Sequence, residues 1–176
     1  MRVFAVSDIH VDYAENLDWI LSLDAREFSE DVLILAGDVT DKIPLLRQVF
    51  DSLVSCFKTV LFVPGNHELW VQDEDFDCSL TKFDAITELC KSCGVHTDIF
   101  EMPGISFVPL FSWYDFSFGE PDRHLRRAWR DFRACSWPDH LSEARDVSDY
   151  FLNLNLEKLS TKNKTVISYS HFLPRI

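Results

Sequence analysis

The chain has 176 residues, of which 47% are hydrophobic, 26% charged and 14% aromatic, and its formal net charge is -12. That length suits one domain with a sizeable core, and the acidic balance argues against a general nucleic-acid binder, which needs a basic face to neutralise phosphates. A small phosphate ester or a protein partner stays open, because a bound metal can draw an anion to an acidic protein.

No run approaches the roughly 20 apolar residues that span a bilayer, so no membrane segment is expected. Arg2 is followed at once by Val3-Phe4-Ala5-Val6, read as a first strand and not as a secretory leader. That strand closes on Ser7-Asp8-Ile9-His10. A helix is expected over 16–23, with Leu17, Ile20 and Leu21 on one face, and a second buried strand over 32–36 breaks at Gly37-Asp38. Thr40-Asp41 offers a cap to the next helix, where Ile43, Leu46, Val49, Phe50, Leu53 and Val54 recur in steps of three and four. A third strand over 60–63 stops at Pro64-Gly65. A helix over 80–93 follows, with Phe83, Ile86, Leu89 and Cys90 inward.

Two strands over 97–101 and 105–109, joined by Met102-Pro103-Gly104, read as a hairpin. Residues 111–140 have little clear period, and 111–158 read as a lid or insertion within a single domain covering 1–176. A helix over 146–158 presents Val147, Tyr150, Phe151 and Leu154 on one face, and a last strand, Thr165–Tyr169, ends in Ser170-His171. Strands alternating with helices make the class α/β. The five cysteines are odd in number and irregularly spaced, which suits a reducing compartment, and the cytoplasm is the expected location. Cys90 and Cys93 form one CxxC without a second pair and read as structural thiols, not a zinc or redox site.

Four strands therefore end in residues able to ligate a metal: Asp8-Ile9-His10, Gly37-Asp38, Gly65-Asn66-His67-Glu68 and Ser170-His171. Side chains beyond the carboxyl ends of an open α/β sheet converge on one crevice. Carboxylate oxygen, amide oxygen and imidazole nitrogen together suit manganese, iron or zinc, and a shared carboxylate can hold two ions close enough to clamp a phosphoryl group. Gly37 and Gly65 are expected to permit sharp turns just before a ligand.

The ordered series DxH, GD, GNHE and a strand-borne SH resembles the calcineurin-like metallophosphoesterases, over Met1 to His171. The resemblance implies a layered β-sandwich flanked by helices and a centre of two divalent metal ions that hydrolyses a phosphate ester. It implies Asp8 and His10 at the first ion, Asp38 bridging both, and Asn66 and His171 at the second. It gives His67 a place facing the substrate, where it assists the leaving group, and it gives Asp41 the place of the acid that pairs with that histidine, an arrangement expected to raise the imidazole pKa. Glu68 is expected to support the motif and not to ligate.

Two departures bear on these expectations. The family closes with GHxH, which this sequence lacks, so the chain is expected to stop before its last ligands, with one imidazole missing from each metal site. The run Gly37-Asp38-Val39-Thr40-Asp41-Lys42-Ile43 also lacks the arginine of the protein serine/threonine phosphatase branch. The alternative to an enzyme is a catalytically inactive scaffold of the same fold that binds proteins. Arg123, Arg126, Arg127, Arg130 and Arg133, spaced for one helical face, read as a solvated face partly compensated by Asp122 and Asp131, in preference to a lid gripping phosphate or an acidic partner. Trp113, Tyr114, Phe116 and Phe118 suit either a pocket rim or the core. His96, His124 and His140 stand outside the motifs, and His96 reads as structural.

Overall fold

Three four-residue strands, β1 (Val3–Val6), β2 (Val32–Leu35) and β3 (Thr59–Phe62), lie side by side in parallel in that order. Parallel neighbours need crossover connections. Here α1 (Ala14–Leu21) and the short α2 (Ala25–Phe28) link β1 to β2, and α3 (Ile43–Cys56) links β2 to β3. The structure, a computed structural model, describes residues 1–72, 75–160 and 164–173. After α4 (Ser79–Cys93) a second three-stranded sheet forms. In it β4 (Phe100–Met102) runs antiparallel to β5 (Ile105–Pro109), and β6 (Thr165–Tyr169) lies parallel to β5 on its other side. Between β5 and β6 come α5 (Arg123–Ala128), α6 (Asp131–Ala134), α7 (Ala144–Asn153) and a 3-10 turn, Leu156–Ser160.

The period of two along β2 and β3 divides the core into two layers. Val32, Ile34, Leu61 and Val63 meet Phe107 and Tyr169 of the second sheet, which makes the sandwich. Leu33, Leu35, Val60 and Phe62 point the other way, onto Ile20, Leu46, Val49, Phe50, Leu53 and Ile86 of the helices. Strands buried on both faces carry no polar alternation, which is why β2 and β3 read as unbroken apolar runs. Phe50 and Phe62 are fully buried with ring centroids 5.1 Å apart; truncating either to alanine costs about 3–5 kcal/mol.

Element ends differ from expectation where side chains intervene. Lys42, not Thr40 or Asp41, is the N-cap of α3; its N–H donates to Thr40 Oγ1 at 3.1 Å, and a proline in the first turn presets the helix. The hairpin is shorter than expected because His96 pairs with β3, donating to Val60 O at 3.0 Å and accepting from Phe62 N at 2.8 Å. The helix expected over 146–158 begins earlier, at Ala144, and breaks after Asn153. There the buried Asn155 accepts from Phe111 N at 2.9 Å and donates to Phe111 O at 2.7 Å. Phe172 and Leu173 follow His171, and Pro174, Arg175 and Ile176 lie outside the described residues. Among the described residues no helix is long and apolar enough to cross a membrane.

Candidate functional site

The carboxyl ends of β1, β2, β3 and β6 meet, as the motif order implied. The loops after β1 and β2 run on together: Asp8 N donates to Gly37 O at 3.0 Å, His10 N to Asp38 O at 3.1 Å and Val11 N to Val39 O at 2.9 Å. Asp8, His10 and Asp38 all take left-handed backbone conformations, with φ of 56°, 40° and 56°. Such strain costs roughly 1–3 kcal/mol per residue and collects at functional sites.

The two glycines differ in their reasons. Gly37 has φ +81°, and a Cβ there would stand 2.8 Å from Gly65 Cα and 2.9 Å from His171 Nδ1. Gly65 shows no left-handed φ; its need is room, since a Cβ would strike the Asp38 carboxylate and stand 2.9 Å from His171 Cδ2. The turn expected of Gly65 is thus a close approach instead.

Asp38 is the centre of the arrangement. Its side chain is 6% exposed; Oδ1 accepts His67 N–H at 3.0 Å and lies 3.5 Å from His171 Nε2, and Oδ2 lies 3.7 Å from His67 Nε2. His171 Nδ1 faces Ala36 O at 2.8 Å. A carbonyl can only accept, so Nδ1 carries the hydrogen and Nε2 presents its lone pair inward. Asn66 Oδ1 stands 3.3 Å from that Nε2. Two sets of ligand atoms, His10-Asp38-His67 and Asp8-Asp38-His171, each lie within 4.8 Å of one another, an arrangement able to hold a cation. Burial, with the Glu68 charge close by, pushes the Asp38 carboxyl up to about 7. Burial thus disfavours the charged carboxylate unless a cation stands beside it, and the donor set fits a divalent metal.

Two buried carboxylates build the framework. Glu68, with no exposed surface, accepts from the backbone N–H of Asp38 (2.9 Å), Val39 (2.6 Å), Thr40 (3.2 Å) and Gly65 (2.7 Å). It ties the β2 loop to the β3 loop, in line with the supporting role expected of it. Asp131 accepts from Asn66 Nδ2 (2.9 Å), Trp70 Nε1 (2.7 Å), Tyr114 OH (2.8 Å) and Trp129 Nε1 (2.9 Å). By taking the amide N–H of Asn66 it fixes the amide oxygen toward His171. Lys82, fully buried on α4, donates to the carbonyls of Asp41 and Trp70 and so ties both loops to a helix.

Beside the centre a cleft of about 260 Å3 is lined by His10, Asp12, Tyr13, Asp41, Lys42, His67, Trp70 and Arg130. His67 lies between His10, at 4.6 Å between ring centroids, and Trp70, at 3.6 Å. Burial and the neighbouring His10 hold the His67 imidazole down to about 4. The expected rise is therefore reversed, and its expected cause is elsewhere. The Asp41 carboxylate is 4.0 Å from Arg130, whose guanidinium also lies over Trp70 at 4.3 Å.

Three residues outside the motifs stand here. Asp131, which in sequence reads as surface compensation, is buried; Arg130 is exposed, in line with a solvated face, and also lines the cleft; Trp70 carries no sequence signal beyond an aromatic residue soon after the GNHE run. The single arginine-rich helix is in fact two, α5 and α6, broken at Trp129. A larger cavity of about 720 Å3, walled in part by Trp113, Tyr114 and Phe116, reaches Asp131 but none of the strand-end ligands. Trp113 also packs in the core, whereas Phe118 is 96% exposed. His96, His124 and His140 belong to neither ligand set, and Cys90 is a buried free thiol whose pKa burial raises.

The calcineurin-like phosphoesterase family model matches residues 1–173, and the chain belongs to that family. Among curated proteins it is similar to the acyl-carrier-protein phosphodiesterase PptH of Mycobacterium tuberculosis, 33% identical over 125 residues, which are 66% of this chain. The chain spans 38% of the length of that relative. Its fold is similar to the crystal structure of phosphopantetheinyl hydrolase (PptH) from the same organism, with a TM-score of 0.75 and 24% identity, covering 98% of this chain and 68% of that one.

Proposed function

We propose that the chain is a metal-dependent phosphoric ester hydrolase that cuts a phosphodiester, its substrate a phosphopantetheinylated acyl-carrier protein. Two divalent ions, of manganese, iron or zinc, would be held by Asp8, His10 and Asp38 and by Asp38, Asn66 and His171, although the ligand atoms that lie close together group His10 with His67 and Asp8 with His171 about Asp38. One observation carries this reading: the inward-facing His171 Nε2 has two other acceptor atoms close to it, Asp38 Oδ1 at 3.5 Å and Asn66 Oδ1 at 3.3 Å, with Asp38 and Asn66 buried and the His171 side chain 8% exposed. Acceptor atoms repel there unless a proton or a cation stands among them. Divalent ions supply Lewis acidity and a more acidic water. The chain's own residues do the rest. Asp38 is shared, Asp131 orients the Asn66 oxygen, and Ala36 O orients His171. The neutral His67 ring donates a hydrogen bond to the departing oxygen, which takes its proton from solvent, while the Arg130 guanidinium faces the anionic ester. Asp41 positions Arg130. The relative's carrier-protein diesterase activity supports the choice of substrate.

The test assays the chelator-stripped chain with manganese, iron or zinc on bis(p-nitrophenyl) phosphate and on holo-acyl-carrier protein, following loss of the prosthetic group by mass spectrometry. Metal-dependent turnover is expected on both, falling by about 10^3 or more in Asp38→Asn. His67→Ala should lower turnover with metal content intact; if metal is lost as well, His67 is a ligand beside His10. A folded, metal-loaded chain that hydrolyses neither ester would favour the scaffold.

A further inference from the structure

Although the chain carries a net charge of -12, five of its 17 Lys and Arg residues stand between positions 123 and 133. Arg123, Arg126, Arg127, Arg130 and Arg133 are all exposed. The carboxylates closest to them in sequence are engaged elsewhere. Asp131 is turned inward onto its four donors, and Asp122 caps α5 by accepting from Leu125 N at 2.7 Å. Asp131 is thus turned away from the arginine face and Arg130 is met by Asp41 at 4.0 Å, so the exposed positive charge of this face centres on Arg123, Arg126, Arg127 and Arg133.

The same surface carries large apolar groups: Trp129 is 41% exposed, Leu125 37% and Phe132 36%. The patch is continuous. Arg126 lies over Phe132 at 5.4 Å, and Arg133 Nη1 donates to Arg127 O at 3.0 Å, which joins α6 to α5. Arg130 extends it into the cleft beside His10 and His67. Exposed tryptophan and arginine side by side are the composition of protein-binding hot spots. On an otherwise acidic molecule such a patch also steers, since it attracts anionic surfaces that the remainder repels.

We propose that the α5–α6 face docks an acidic surface of the protein that bears the phosphoester, so that the ester linkage falls into the cleft at Arg130. The identity of that ester rests on the phosphodiesterase reading above; the docking itself rests on the surface alone. Long polyanions such as nucleic acid fit less well, because they extend past the patch onto repelling surface.

The test uses the full chain and the double variant Arg123→Glu/Arg127→Glu, with Arg123→Gln/Arg127→Gln as a milder pair. Both side chains are exposed and neither lines the cleft. Binding of fluorescently labelled holo-acyl-carrier protein is measured by anisotropy, and kcat/KM is measured on the same protein and on bis(p-nitrophenyl) phosphate. The reversal should weaken carrier binding about tenfold or more and lower kcat/KM on the carrier in proportion, with the small diester unaffected. Wild-type binding should weaken as salt rises, and the variant's salt dependence should be flatter. Equal carrier binding by wild type and variants overturns the proposal, as does tighter binding of an oligonucleotide than of the carrier. If the wild type hydrolyses neither ester, the chemical reading fails while the anisotropy comparison still decides the docking.

Discussion

Glu68 never reaches the cleft, yet four backbone N–H groups from three loop residues of β2 and one of β3 end on its two oxygens. Those bonds hold the left-handed Asp38 and the close-packed Gly65 together. Glu68→Gln replaces one oxygen by an NH2 that faces donors, so at least one buried N–H loses its acceptor. The expected loss is about 2–4 kcal/mol in urea unfolding; an unchanged midpoint would show that the carboxylate is dispensable. Asp131 acts on the second ligand group in the same manner, through the amide of Asn66. Asp131→Asn should weaken metal affinity about 10–100-fold, read by titrating manganese against a chelator. Destabilisation without any change in affinity would reduce Asp131 to a packing group for Trp70 and Trp129.

Among the elements, β6 has two duties. One side pairs with β5 and its end delivers His171. The other edge, among the described residues, has no strand beside it, and Val166 on this strand is 45% exposed. Val166→Lys at this exposed position should shift stability by no more than about 0.5 kcal/mol in urea unfolding; a larger loss would show that the side chain packs within the fold. α4 shows the opposite design, since its Lys82 is buried and anchors the Asp41 and Trp70 loops by their carbonyls. The segment after β5 delivers Arg130 and Asp131 to the site from the junction of two short helices, where the chain turns at Trp129.

An acidic chain brings the exposed Asp8 and the buried Asp38, both on left-handed backbone, to one site, with the buried Glu68 behind it. Like charges brought together disfavour the folded state unless a cation joins them. Manganese or zinc at about 100 times its Kd should then add about 2.7 kcal/mol of stability by mass action. For a chain of this size that is a rise of roughly 5–11 °C in Tm. The rise should vanish in Asp38→Asn, as read by scanning calorimetry. No rise in the chelator-stripped wild type would remove the metal centre from the account.

The strands, the main helices and the ligand candidates Asp8, His10, Asp38, Asn66 and His171 are legible in the sequence. Each of those residues follows an apolar run whose periodicity is local, and the parallel sheet gathers strand ends wherever the strands run. Glu68 was legible as a supporting residue because it belongs to the same short motif. The surroundings of those residues come from long-range packing. That His67 is held low by burial and His10, that Asp41 meets Arg130 and not His67, and that Asp131 is buried beneath Asn66 all depend on contacts across dozens of residues. An aspartate in an arginine-rich stretch looks solvated in sequence because three of its four donors, the Asn66 amide, the Trp70 indole and the Tyr114 phenol, come from segments 17 to 65 residues away. Burial and pairing are properties of the folded neighbourhood, and periodicity carries no trace of them.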